Sequence, residues 1–178
     1  MTRLKTISPT EATGETAKIY EAIKSAMGSI PNLFQGLANS PRALNAYLQM
    51  GELLKGGVLT GPELEIISLA VGQKNSCDYC VSAHTVLAKM NGLTEQQTLQ
   101  VRKGTFDDPK RLALIKLVNE IVSEKGHVSD ATLNNFRSQG YTDAHVAEVM
   151  LGVTQNIYSN YFNHINKTVV DFPKPPTI

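Results

Sequence analysis

The sequence has no tryptophan, only two cysteines and almost no excess of charge of either sign. Its 178 residues include 17 lysines and arginines against 16 aspartates and glutamates, for a formal net charge of +1. Nucleic acids and anionic membranes select proteins with a basic surplus, so we expect neither as a partner. No apolar run approaches the roughly 18–20 residues of a membrane span, and the first residues lack the apolar stretch of a secretory signal. We therefore expect a cytoplasmic protein.

The two cysteines stand together as Cys77-Asp-Tyr-Cys80. A secreted disulfide scaffold would need more cysteines, spread along the chain. In a reducing compartment such a close pair is more often catalytic or metal-binding than a structural link. The sequence also lacks a glycine-rich dinucleotide fingerprint, so we expect no bound nicotinamide or flavin cofactor. Electrons for any redox reaction would then arrive by thiol–disulfide exchange.

Helix breakers and caps divide the chain into helical units, and almost nothing in it has the alternation of a strand. Signals for helix starts occur at Ser40-Pro41, Thr60, Thr94, Asp108-Pro109, Ser129 and Thr142. Apolar side chains surround most of the helix from Leu64 to Val71, which predicts a buried helix. The proline-rich tail from Asp171 cannot be helical. No linker is long enough to separate domains, so we expect one all-α domain over residues 1–178, with about eight helices.

A helix is predicted from Cys77 to Met90, with Ser76 as its N-cap. Cys77 and Cys80 would then lie near the positive end of the helix dipole, which favours thiolate over thiol. His84 follows Cys80 by four residues and therefore shares its face of the helix. An imidazole there can accept the thiol proton or stabilise the thiolate. A Cys-x-x-Cys pair within one turn can also close a disulfide after the first sulfur is oxidised.

Glu65 lies among apolar residues on the helix that we expect to be buried. A buried carboxylate needs a partner, and His84 is the candidate, because a carboxylate can orient an imidazole as it does in a catalytic triad.

Other interpretations of these residues stay open. The cysteines could simply be small apolar residues in a turn, or they could join His84 in a zinc site, although structural zinc prefers four ligands. Glu65 could serve only the dipole of its helix. His164, near the end of the last helix, could be a hydrogen-bonded core histidine or a member of a second site.

The segment Leu64-Glu65-Ile66, followed by Cys77-Asp-Tyr-Cys80-Val-Ser-Ala-His84-Thr85, resembles the core motif of the AhpD-like alkylhydroperoxidases. These proteins belong to the carboxymuconolactone decarboxylase superfamily. The motif spans residues 65–85, and the spacing from the glutamate to the first cysteine matches as well. The end of the chain, from Asn163 to Pro173, is similar to that of the "peroxidase-related" branch. The resemblance implies an AhpD-like helical bundle that assembles as a homo-oligomer, either a trimer or a hexamer.

The resemblance also implies a thiol-dependent alkylhydroperoxidase or disulfide reductase. Cys80 would attack a small organic hydroperoxide and become a sulfenic acid, and Cys77 would resolve it to a disulfide. An external dithiol or redox protein would then reduce that disulfide. Glu65 and His84 would form the proton relay that activates Cys80. Helix position alone favours Cys77 as the more acidic thiol, whereas the nearby imidazole and the family both favour Cys80.

One position departs from the family pattern. The well-studied members have a histidine immediately before the second cysteine, where this chain has Tyr79. A tyrosine can donate a hydrogen bond but does not titrate near neutral pH, so the relay would be simpler, the physiological donor different or the peroxidase slower. Two alternatives from other classes are a decarboxylase-type lyase, with Glu65 and His84 as acid and base, and a non-enzymatic redox sensor.

Overall fold

A computed structural model describes all 178 residues, and its regular structure is entirely helical, which confirms the all-α prediction. The helices are α1 (Gly14–Met27), α2 (Asn32–Leu37), α3 (Pro41–Lys55), α4 (Gly61–Lys74), α5 (Asp78–Met90), α6 (Glu95–Lys103), α7 (Pro109–Ser123), α8 (Asp130–Ser138) and α9 (Asp143–Asn166). There are nine of them rather than about eight, because the short segment α2 forms a helix of its own. None is long and apolar enough to cross a membrane.

Helix starts follow the capping signals closely. The side chains of Ser40, Asp108 and Ser129 each accept a hydrogen bond from a backbone N–H in the first turn of α3, α7 and α8. Each of these bonds satisfies a donor that the helix itself leaves unpaired. The start of α5 differs, because Cys77 and not the predicted Ser76 is its N-cap.

Helix α4 lies at the centre of the main core, where it packs against α5, α7 and α9. Ile66, Leu69 and Val71 are completely buried although they point in different directions around the helix. This confirms the prediction of a helix apolar on most sides. Burial from several directions fixes α4 in place, so Glu65 on the same helix has a defined position.

A second apolar cluster joins α1, α2 and α3 to the start of α5. It contains Tyr20, Phe34 and Leu44 together with both cysteines. The segment after Lys167 has no regular structure, and the tail from Asp171 is therefore non-helical, as predicted. It runs back over this cluster, where the Phe172 ring meets the Tyr79 ring edge-on at 5.7 Å between centroids. The cysteines are therefore enclosed by the N-terminal helices, the tail and α9.

Glu63, in the first turn of α4, is the most deeply buried carboxylate. It accepts hydrogen bonds from the Thr60 backbone N–H at 2.9 Å and from the Tyr141 hydroxyl at 2.8 Å. Burial acts to raise the pKa of Glu63, but the bonds from Thr60 and Tyr141 together outweigh it and hold that pKa below its usual value. The group thus ties the start of α4 to the segment before α9.

We predict that Glu63→Gln destabilises the protein at neutral pH by about 1–3 kcal/mol, the range for disturbing a buried hydrogen-bonded group. Because the folded-state pKa is lowered, the contribution of the charge is complete above the unfolded-state pKa of about 4.3 and is lost as the pH falls through the folded-state value. Urea unfolding of both proteins at neutral and acidic pH measures this. A difference in the free energy of unfolding that stayed constant across the range would contradict it.

Candidate active site

The chain passes from α4 to α5 through a very short link. The Cys77 backbone N–H donates to the Gly72 carbonyl at 2.9 Å, and Ser76 adopts a left-handed conformation with φ of 53°. Ser76 is therefore not the N-cap, and that prediction is wrong. Cys77 takes the role, because its sulfur accepts a hydrogen bond from the Cys80 backbone N–H at 3.3 Å, and α5 begins one residue later than expected, at Asp78.

Cys77 and Cys80 are joined by a disulfide, with their Cα atoms 5.3 Å apart, a separation ordinary for such bonds. Both residues are almost completely buried, at 1% and 3% exposure. Gly72 of α4 lies directly behind them. A Cβ atom at this glycine would already be 3.4 Å from the Cys80 Cβ, so a larger side chain would push the disulfide away from α4.

Two asparagine side chains of α9 donate hydrogen bonds to the sulfur of Cys80. The Nδ2 of Asn160 lies 3.0 Å from it and the Nδ2 of Asn163 lies 3.4 Å from it, while the Asn163 amide is 3.9 Å from the sulfur of Cys77. The Oδ1 of Asn160 accepts from the Asn75 side chain, which orients its NH₂ group towards the sulfur. The Oδ1 of Asn163 is buried without a partner. The Asn163 side chain therefore makes hydrogen bonds within the protein only through its NH₂ group.

These asparagines were missed by the sequence reasoning. A signal was present, because Asn156, Asn160 and Asn163 follow one another at spacings of four and three and so share one face of α9. All three are buried. Buried amides on one face of a helix require polar partners. Here the cysteine sulfurs are partners of Asn160 and Asn163.

Glu65 and His84 are brought together as expected. The Nδ1 of His84 lies 2.9 Å from the Oε2 of Glu65, and the side chains are 18% and 13% exposed. The pair lines a small cavity of about 120 Å³ that also borders Tyr47 and does not include either cysteine. Burial, with the Glu65 carboxylate as a smaller cause, raises the pKa of Tyr47.

His84 makes no hydrogen bond to either sulfur, and its Nε2 has no partner within the protein. The imidazole is therefore oriented by Glu65 and is not hydrogen-bonded to the sulfurs. In the oxidised state the polar contacts of the sulfurs come from amides rather than from the imidazole.

Tyr79, which replaces the family histidine, points away from the sulfurs. Its hydroxyl oxygen accepts a hydrogen bond from the Leu33 backbone N–H at 3.2 Å. Burial, supported by the nearby Asp171 carboxylate, raises the pKa of Tyr79 far above its usual range. A neutral phenol that bonds to α2 serves to hold α5 against the N-terminal helices.

His164 is exposed, so it is not a core histidine. It borders a cavity of about 350 Å³ that reaches Cys77. No cluster of three or more histidine, cysteine, aspartate or glutamate side chains is arranged to hold a metal ion. The zinc interpretation therefore has no further ligand at this place.

Solved structures with the same fold cover almost the whole chain. An alkylhydroperoxidase AhpD core, an uncharacterised peroxidase-related protein from Ralstonia eutropha JMP134, has a TM-score of 0.86 at 21% identity, over 96% of this chain and 92% of that one. The debrominase Bmp8, in complex with 2,3,4-tribromopyrrole, has a TM-score of 0.82 at 11% identity, over 96% and 92%. An uncharacterised peroxidase-related protein from Silicibacter sp. TM1040 has a TM-score of 0.80 at 20% identity, over 95% and 94%.

The chain thus has an AhpD-like helical fold. Residues 41–106, which contain Glu65, both cysteines and His84, match the model of the carboxymuconolactone decarboxylase family. This match to part of the chain agrees with the resemblance seen in the sequence. No curated protein matches the sequence.

We predict that the Cys80 thiol of a Cys77→Ser variant titrates below the value of about 8.5 for a free cysteine. Two amide donors and the start of α5 favour the thiolate there. Ultraviolet absorbance of the thiolate as a function of pH measures this, with Cys80→Ser as the comparison. A Cys80 value at or above that of a free cysteine would contradict it, because burial would then outweigh the donors.

Proposed function

We propose that the protein is a thiol-dependent peroxidase that reduces small organic hydroperoxides and is itself reduced by an external dithiol or a redox protein. The observation that carries this proposal is the buried Cys77–Cys80 pair at the start of α5, already linked as a disulfide. A pair that closes a disulfide within one helical turn can store and release two electrons. The family supports the same chemistry, since its AhpD-like structures include peroxidase-related proteins.

The proposed cycle begins with the reduced protein. The Cys80 thiolate attacks the terminal oxygen of R–O–O–H, the O–O bond breaks, and Cys80 becomes a sulfenic acid while the alkoxide takes up a proton as the alcohol. The Cys77 thiol then attacks the sulfenic sulfur, which forms the disulfide and releases water. Two electrons from the donor dithiol restore both thiols.

Glu65 and His84 are proposed to manage the protons of this cycle. Glu65 holds the imidazole through Nδ1 and leaves Nε2 free to exchange a proton. Because Nε2 makes no hydrogen bond to a sulfur, the proton would pass between them through an intervening water. An imidazole oriented in this way, and not hydrogen-bonded to the sulfur, fits a general base that acts through such a water.

A second candidate function is a decarboxylase-type lyase reaction at the same Glu65–His84 pair. The observation that favours it is the cavity beside these side chains, which includes neither cysteine. In that case Glu65 and His84 act as acid and base on a substrate, and the disulfide is structural.

A turnover assay with cumene hydroperoxide and a panel of dithiols distinguishes these functions. We predict that Cys80→Ser abolishes hydroperoxide consumption and that His84→Gln slows it by roughly 10²–10⁴-fold, the usual loss for a general base. His127→Gln is the matched control, since His127 is exposed and lies far along the chain from the motif. The same variants should be assayed for the decarboxylation of a carboxylated lactone.

Each alternative gives a different result. A lyase would retain its lactone activity in Cys80→Ser and lose it in His84→Gln. A redox sensor would form the disulfide with one equivalent of hydroperoxide but would not turn over with any dithiol. If His84→Gln consumed hydroperoxide as fast as the unmodified protein, His84 would have no part in the relay.

The proposed assembly is a homo-oligomer, a trimer or a hexamer. Helix α9 exposes the large apolar side chains of Tyr158, Tyr161 and Ile165 on one face. The Tyr158 ring lies 6.1 Å from that of Tyr47, which borders the Glu65–His84 cavity. A second copy on this face would therefore shield the cavity from water.

We predict that the protein is oligomeric in light scattering and that Tyr161→Glu shifts it towards a smaller species, because a charge cannot be buried there without a partner. Met90→Glu is the matched control, since Met90 is also a large exposed apolar side chain but lies at the far end of α5. A monomeric unmodified protein would contradict the prediction.

A further inference from the structure

We propose that the electron donor attacks the disulfide at Cys77, through the cavity that borders this residue, and that Cys80 leaves as a thiolate held by the amides of Asn160 and Asn163. The inference rests on the proposed function only in naming the attacking thiol as the electron donor. It assigns to each sulfur a distinct role in reduction and gives the two asparagines a part in the chemistry.

Access differs between the two sulfurs. A cavity of about 350 Å³ is lined by Cys77, Asn163, His164 and Lys167, and it does not include Cys80. A larger cavity of about 550 Å³ lies nearby along the tail, but neither sulfur borders it. The Glu65–His84 cavity does not contain a sulfur either. Both cysteines are almost completely buried, at 1% and 3% exposure, so the difference in access lies in the cavity, which offers an incoming thiol a path to Cys77.

The hydrogen bonds also differ between the two sulfurs. Cys80 accepts from two side-chain amides at 3.0 Å and 3.4 Å, whereas the Asn163 amide is 3.9 Å from Cys77. Cys77 has one closer donor, the Cys80 backbone N–H at 3.3 Å. Both asparagines are at least 96% buried, at 0% and 4% exposure, and hydrogen bonds to a charge are stronger where water is excluded.

Thiol–disulfide exchange favours release of the sulfur whose thiolate is better stabilised. The incoming thiolate forms a bond to the Cys77 Sγ as the Cys77–Cys80 bond breaks, and the electron pair of that bond goes to Cys80. The second thiol of the donor then attacks the donor sulfur in the mixed disulfide. This step releases Cys77 and leaves the donor as a cyclic or internal disulfide, with two electrons transferred.

The charged groups around the cavity fit the entry of an anion on one side. Lys167 and His164 border it from the end of α9, and Asp78 borders it from the start of α5. A thiolate that enters beside Lys167 is attracted at short range, whereas Asp78 repels a thiolate that enters from its own side. The cavity volume admits a small dithiol.

Trapping with a monothiol tests the site of attack. The oxidised protein is mixed briefly with a limiting amount of 2-mercaptoethanol, whose adduct has no second thiol to displace the cysteine from within, then quenched in acid at early times and alkylated with N-ethylmaleimide. Tandem mass spectrometry of the peptide between Lys74 and Lys89 then locates both groups. We expect mercaptoethanol on Cys77 and maleimide on Cys80. An adduct mainly on Cys80, or equally on both cysteines, would overturn the proposal.

The role of the amides is tested with Asn160→Leu and Asn163→Leu. Because a hydrogen bond to a charged group contributes about 1.5–3 kcal/mol, each change should slow opening of the disulfide by about 10–100-fold and raise the titration midpoint of Cys80. Ser159→Ala is the matched control, since Ser159 is buried on the same helix but donates to the Asn156 carbonyl rather than to a sulfur. Unchanged rates and an unchanged midpoint in both asparagine variants would overturn this part.

Neither measurement uses a hydroperoxide. A protein that failed the turnover assay but gave the Cys77 adduct would contradict the proposed function and leave the assignment of the sulfurs standing. A protein that turned over hydroperoxide but gave the Cys80 adduct would do the reverse. The trapping experiment uses the unmodified protein, so it gives an answer even if an asparagine variant does not fold.

Discussion

The site depends on the short link between α4 and α5. Only three residues separate these helices, and the backbone bond from Cys77 to Gly72 holds the start of α5 against the end of α4. Glu65 and His84, which are far apart in sequence, are adjacent because α4 and α5 are packed along their length from this point. The same link places both cysteines at a helix start, where the backbone dipole favours negative charge.

Helix α9 supplies side-chain hydrogen-bond donors to the sulfurs, which the link between α4 and α5 does not. The start of α5 is buried, and a thiolate produced there would lose its contact with water, which raises the free energy of the charged form. Buried amide donors from Asn160 and Asn163 offset that loss on the side of Cys80. The Oδ1 of Asn163 is buried without a hydrogen-bond partner, so orienting the Nδ2 of this residue towards Cys80 leaves its acceptor atom unsatisfied. The stability of a thiolate at Cys77 or Cys80 therefore depends on α4, α5 and α9 rather than on the Cys-x-x-Cys motif alone.

Much of the fold could be predicted because its signals are local. Caps such as Ser40 and Asp108 act within one turn, so the residues that mark a helix start are adjacent to it in sequence. Ser76 misled the same reasoning, since a serine beside a cysteine offers two possible caps. The backbone adopts a left-handed conformation at Ser76, and the Cys77 N–H bonds to the Gly72 carbonyl of α4. Cys77 rather than Ser76 therefore caps α5.

The site was predictable only in part, for the same physical reason. The spacing of Cys80 and His84 along one helix reveals a shared face, but a shared face does not determine contact, and the imidazole is held by Glu65 instead. The side chains that donate to the sulfurs lie some 80 residues away on α9. From the sequence, a buried asparagine indicates that it needs a hydrogen-bond partner but not which residue that partner is. Asn160 and Asn163 become interpretable once packing places them over the disulfide. The asymmetry between Cys77 and Cys80 is thus a property of the fold, although the two residues lie only three positions apart at the start of α5.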